Sequence, residues 1–180
     1  KIYLSGAMGC YLGTKEEGYA ETWRKETEKE FQYMIQAETT PNRLKSFVIS
    51  DVLENCLTMD DASKVSVINS LGQDVTEQFD VAVEGQTVIC SAKADSLKEE
   101  AFTDNQTYTF ILKVHRKPEG QFDISKYLAE DGYTLLVPNQ ASMSYERVNG
   151  GGDTKKTEIV WVKGIIPPEL EVKKNVSSYE

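Results

Sequence analysis

The sequence predicts an all-β fold, an antiparallel sandwich, on three observations. Valine, isoleucine, threonine and tyrosine fall in short runs that alternate apolar and polar residues with the period-2 rhythm of a half-buried strand. Clusters of Gly, Asp and Asn separate these runs at the spacing of tight turns, as in a sandwich. The chain has 180 residues, 39% of them hydrophobic, which is enough to enclose a core without disulfide staples.

The strands follow in order. Phe31 to Ala37 alternates cleanly, and Phe47 to Asp51 forms the next strand. Lys64 to Ile68, Phe79 to Val83 and Thr87 to Ala92 come after, with Gly72 and Gly85 where hairpin turns are wanted. Tyr108 to His115 is longer and sets Tyr108, Phe110, Leu112 and Val114 on one face. Leu135 to Tyr145 and Glu158 to Lys163 complete the set, with a hairpin tip at Asn149 to Asp153. Two stretches are not strand-like. Lys15 to Lys29, rich in Glu, Lys, Ala and Thr, reads as a short surface helix or an ordered insertion near the N-terminus. Asp95 to Phe102 reads as one or two helical turns capped by Asp95 or Ser96. Residues 1–164 contain no internal repeat.

Charge and cysteine content exclude several classes of function. The net charge is −9, from 29 acidic against 20 basic residues, and this argues against nucleic acid, whose phosphates need a basic footprint. No apolar run approaches the roughly 20 residues of a membrane span. Cys10, Cys56 and Cys90 form an odd set without CxxC spacing, and His115 is the single histidine. Small buried thiols are expected, and neither a metal site nor a cofactor.

Two polar residues stand out because they sit on apolar faces. Residues two apart on a strand share a face. Phe47, Ile49, Asp51 and Leu53 therefore point one way, and Asp51 is a carboxyl aimed into the core. Leu135, Val137, Asn139, Ala141, Met143 and Tyr145 likewise share a face, and Asn139 is aimed inward. A buried polar group is destabilising by a few kcal/mol unless partnered, so two inward polar groups on separate strands are candidate partners. The alternative local reading makes Asp51 a turn cap and Asn139 a residue at a bulge after Pro138.

Family-like words surround both residues. Phe47-Val48-Ile49-Ser50-Asp51-Val52-Leu53-Glu54-Asn55-Cys56-Leu57 resembles the "ItDtL…gL" signature of isopeptide-forming fimbrial and adhesin domains of Gram-positive surface proteins. Phe31-Gln32-Tyr33-Met34-Ile35 resembles the "FtYtI" strand that precedes it, and Gln106 to Phe110 the "tYtltikv" strand. Val137-Pro138-Asn139-Gln140-Ala141-Ser142 resembles the "ipNtAs" strand, and Pro168 to Val176 the "P.veKkV" opening of a following copy. The resemblance implies an Ig-like sandwich in which a lysine amine attacks the side-chain amide of Asn139, ammonia leaves, and Asp51 shuttles the proton as the catalytic group. It also implies a first-strand lysine in K-x-V spacing. Lys1-Ile2-Tyr3 supplies that spacing, so Lys1 is the first choice; Lys29, on the face of Phe31 and Tyr33, is the second, followed by Lys15 and Lys25.

The expected organisation is a sandwich module at residues 1–164, then a linker and the first strand of a following module at residues 165–180. The expected function is a stalk or adhesin module outside the cell, anchored to a Gram-positive cell wall and turning over once rather than acting as an enzyme. Its expected partners are tandem modules of the same polypeptide and a host-surface or matrix ligand. Two other readings compete. One is a ligand-binding adhesin module of the same fold without the bond. The other is a hydrolase-like domain in which Asp51 and Glu54 pair across an open cleft.

Overall fold

The structure is a computed structural model and describes residues 2–5, 30–118 and 120–165. Two antiparallel sheets face one another across a single core. The first contains β1 (Ile2–Ser5), β2 (Phe31–Glu38) and β8 (Thr107–Arg116) side by side. The far edge of β8 is shared by two short strands, β4 (Leu57–Thr58) opposite His115 and Arg116, and β5 (Val65–Ile68) opposite Thr109 to Leu112. The second sheet runs β11 (Gly152–Lys156), β10 (Ala141–Arg147), β3 (Leu44–Val52), β7 (Thr87–Ala92) and β6 (Phe79–Glu84). A third, two-stranded sheet pairs β9 (Thr134–Asn139) with β12 (Val160–Ile165). The all-β sandwich expected from alternation is the fold observed.

The alternation that predicts each strand also decides what it buries. Phe31, Tyr33, Ile35 and Ala37 of β2 are buried, as are Tyr108, Phe110, Leu112 and Val114 of β8 and Phe47, Ile49 and Asp51 of β3. The two sheets meet through rings. Phe47 lies 5.9 Å from Phe102, 6.2 Å from Tyr108 and 6.5 Å from Phe110, centroid to centroid. Phe79 stands edge-on to Phe110 at 5.1 Å. These are the edge-to-face and tilted arrangements that the aromatic quadrupole favours. The Tyr108 hydroxyl, deep in this cluster, donates to the carbonyl of Phe102 at 2.8 Å, so no polar atom is stranded there.

Three expectations need correction. The run Leu135 to Tyr145 is two strands, not one, and the chain changes sheets at Gln140. Inward alternation survives the change, since Leu135, Val137, Asn139, Ala141 and Met143 are all buried. The strand breaks because the Ala141 N–H is taken by the Thr157 hydroxyl, outside either ladder. The helical turn expected at Asp95 starts earlier, as α1 (Ala94–Leu97) with Lys93 at the N-cap. The backbone of Lys93 is still tied to the sheet through Gln78, and the turn must begin there for Leu97 to reach the core. Finally, β11 was not anticipated as a strand. All of its residues are exposed, so burial left no periodic mark on its sequence. Asp153, Lys155 and Lys156 supply the edge charges that discourage pairing with another chain. The proposed insertion at Lys15 to Lys29 and the linker and strand beyond Ile165 lie outside the described residues, as does Cys10.

Phe47 joins both sheets, so Phe47→Ala should destabilise the domain by about 3–5 kcal/mol, measured by urea unfolding with the slope unchanged. A loss below about 1 kcal/mol, the range of surface substitutions, would show that the core is not centred on this ring.

Candidate functional site

Asp51 and Asn139 meet. The β3–β10 register sets Asp51 opposite Ala141, and Asn139 is the last residue of β9 before the chain crosses into β10. The Asn139 Nδ2 donates to Asp51 Oδ2 at 2.7 Å. Asp51 is 2% exposed and Asn139 4%. The turn-cap and bulge readings do not account for this enclosure. One hydrogen bond does not satisfy either group. Asp51 Oδ1 and Asn139 Oδ1 are both buried without a hydrogen-bond partner among the described residues. Leaving such atoms unpaired is destabilising by about 1–3 kcal/mol each. Among the described residues, no donor outside the pair reaches either oxygen.

Burial pushes the Asp51 carboxyl up from 3.8 to about 7, against the smaller opposing effect of the Asn139 hydrogen bond. The carboxyl is thus poised to hold or release a proton at neutral pH, which is the state useful for proton transfer. Cys90, which pairs with Ile49 on the neighbouring strand, has its thiol pushed up to about 12 by burial and by the Asp51 charge. Cys56 is likewise pushed up to about 12, chiefly by burial. Both thiols are free and buried, as their sequence context suggested, and neither is activated as a nucleophile.

The backbone on either side of Asp51 is held in place. The Leu53 N–H donates to the Gln86 carbonyl at 2.7 Å. The Gln86 Nε2 turns back to the carbonyls of Glu54 at 2.7 Å and Leu57 at 2.9 Å. A residue of the β6–β7 turn thereby fixes the exit of β3. Beyond Asn139, Thr157 fixes the entry of β10. Sequence reasoning missed both residues. Gln86 and Thr157 sit in polar runs, and nothing local marks them as structural.

Strand registers locate the site along the sandwich. The chain passes Tyr108 at Phe47, reaches Asp51 further along β3, and then enters β4 opposite Arg116. Asp51 therefore lies toward the Arg116 end of β8. Strand β2 begins at that same end, with Phe31 opposite Val114. Ile2 of β1 stands at the other end, opposite Ala37, which itself pairs with Tyr108. Phe31 to Ala37 spans about 20 Å at the rise of an extended strand.

The lysines expected to react, Lys1 and Lys29, lie outside the described residues, as do Lys15 and Lys25. No lysine among the described residues is buried. A lysine donor to the pair therefore does not come from that set. The hydrolase-like reading finds no support, because Asp51 is enclosed in the core, while Glu54 lines a surface cleft beside Pro138. The described residues contain no cluster of His, Cys, Asp or Glu able to hold a metal, and no helix among them is long and apolar enough to cross a membrane.

Solved structures share this architecture. The full-length major pilin SpaD from Corynebacterium diphtheriae superposes with a TM-score of 0.61 at 15% identity, covering 89% of this chain and 34% of that one. BcpA, the major pilin subunit of Bacillus cereus, gives 0.55 at 20% identity, over 76% of this chain and 34% of that one. The C terminal domain of the Streptococcus agalactiae AgI/II polypeptide BspA gives 0.54 at 16% identity, over 76% and 42%. Identities this low speak for the fold alone. Platelet adherence protein A of Streptococcus gordonii is 28% identical over 156 residues, which are 85% of this chain but 4% of that protein. The family model described as "Cell surface antigen I/II C2 terminal domain" matches residues 25–154, the span that contains β2 through most of β11 and both members of the buried pair, and the chain belongs to that family.

Proposed function

We propose that this chain is a structural module of a Gram-positive surface adhesin or pilus, outside the cell and anchored through its parent polypeptide, and that it locks itself with one Lys–Asn isopeptide bond. The observation that carries this reading is the buried Asp51–Asn139 pair with two oxygens that find no partner among the described residues. An amine brought between them donates to both. In the reaction the neutral amine attacks the Asn139 side-chain carbonyl carbon. Asp51 accepts a proton from the attacking nitrogen and delivers one to the departing nitrogen. A new C–N bond forms, the old one breaks, ammonia leaves, and Asp51 ends as it began. Folding holds the partners in contact, so the step is effectively intramolecular. Ammonia carries away the Nδ2 that donates to Asp51, and the new amide N–H takes its place.

Register bears on the nucleophile. Ile2 stands at the end of the sandwich away from Asp51, whereas Phe31 stands at the near end. Lys29, which shortly precedes Phe31 in the sequence, is therefore preferred to Lys1, reversing the order that K-x-V spacing suggests. The module would act in tandem with its neighbours, with residues 165–180 leading into the next one, and the parent protein would carry any contact with a host surface or matrix ligand.

Intact mass tests the bond. The chain should weigh one ammonia less than its sequence, and Asp51→Ala should restore the full mass while the sandwich still folds. Lys29→Ala should also restore it. Ammonia loss that persists in Lys29→Ala but disappears in Lys1→Ala would keep the bond and reject the register argument. A wild-type chain at full mass would reject the bond.

The Asp51 carboxyl also makes a pH prediction for a bond-free lysine variant. Burial pushes the folded carboxyl up from its ordinary 3.8 to about 7, so the folded state binds the proton more tightly. Its contribution is fully present below about pH 4 and is lost as pH rises to about 7, by roughly 4 kcal/mol in total. Adding Asp51→Asn to that variant should remove this slope. The difference in unfolding free energy between the two chains, followed from pH 4 to 8, checks it; a difference independent of pH would mean that Asp51 titrates normally.

A further inference from the structure

We propose that Thr157 is a positioning residue for the reaction, holding the Asn139 carboxamide against Asp51 by fixing the point where the chain changes sheets; this rests on the isopeptide reading above. Asn139 and Ala141 belong to different sheets. Asn139 is paired with Val160 in the β9–β12 ladder, and Ala141 with Asp51 in the β3–β10 ladder. Gln140 between them belongs to neither strand. A free joint at this position would let the carboxamide swing relative to the carboxyl it must meet.

Thr157 closes that joint. It lies between β11 and β12, where the chain makes the return crossing, and it is 4% exposed. Its Oγ1 accepts from the Ala141 N–H at 3.0 Å and donates to the Glu158 carbonyl at 2.9 Å. Its own N–H donates to the Ala141 carbonyl at 3.0 Å. Its carbonyl accepts from Gln140 Nε2 at 2.8 Å. The two crossings are thus bound to each other at Gln140 and Ala141. The hydroxyl must accept and donate at once, which serine can do and valine cannot. None of these hydrogen bonds reaches the Asp51 carboxyl or the Asn139 carboxamide. Its effect passes through the Ala141 backbone to Asn139, and small misplacements of a reacting group slow intramolecular steps steeply.

The test follows bond formation in time. Each chain is recovered unfolded in denaturant, diluted to refold, and quenched at intervals for intact mass, with the folded fraction read by circular dichroism. Thr157→Val should lose ammonia more slowly than wild type by about one to two orders of magnitude at the same folded fraction. Thr157→Ser should react at close to the wild-type rate. In the bond-free Asp51→Ala background, Thr157→Val should melt within a few degrees of its parent. The proposal is overturned if Thr157→Val reacts at the wild-type rate, if its slowing disappears once corrected for folded fraction, or if Thr157→Ser is as slow as Thr157→Val. A wild-type chain that never loses ammonia overturns the isopeptide reading and this inference with it, whereas wild-type loss matched by Thr157→Val overturns this inference alone.

Discussion

A carboxyl and a carboxamide enclosed together between two apolar sheets form the constraint around which the rest of the structure is arranged. Neither group is stable in that place alone. Desolvation pushes the carboxyl up to about 7, and one hydrogen bond joins the pair while an oxygen of each finds no partner among the described residues. A buried polar network that is only half satisfied is worse than an apolar core of the same shape. The surrounding backbone is correspondingly over-determined. Gln86 ties the exit of β3 and Thr157 ties the entry of β10, each with its side chain gripping main-chain atoms of the strand it holds.

The same constraint explains the unusual path of the chain. Strand β9 must deliver Asn139 to the core beside β3, yet β3 already has β10 and β7 as neighbours. The chain meets this by leaving one sheet at Asn139 and entering another at Ala141, where β10 pairs with Asp51. Pro138 suits the approach, because it has no N–H to commit to a ladder on its other side.

A covalent link from the start of β2 to the end of β9 would close a loop of about 110 residues, and the loop-closure argument for a disulfide of that size gives roughly 4–5 kcal/mol. For a module loaded end to end the kinetic consequence is larger than the thermodynamic one. The strands between the tie points could not be drawn out, and the mechanical lifetime would be set by what lies outside the loop.

Much of this was legible in the sequence because burial leaves a period-2 trace. Alternation located β2, β3, β5 through β8 and the inward faces on which Asp51 and Asn139 lie, since an acid or an amide in a row of Phe, Ile, Leu and Val interrupts a pattern set by the core. Where no face is buried, as in β11, no trace exists. That the two polar groups touch was not legible, because alternation states which way a side chain points and not what it meets. The sheet change at Gln140, the clamps of Gln86 and Thr157, and the end of the sandwich at which β2 begins were decided by tertiary structure alone. They depend on hydrogen bonds between residues distant in sequence, such as Leu53 to Gln86 and Ala141 to the Thr157 hydroxyl, in which at least one partner is a main-chain atom that every residue carries. The sequence by itself determined which residues are inside; packing determined which of them meet, and hence that one carboxyl and one carboxamide are brought together.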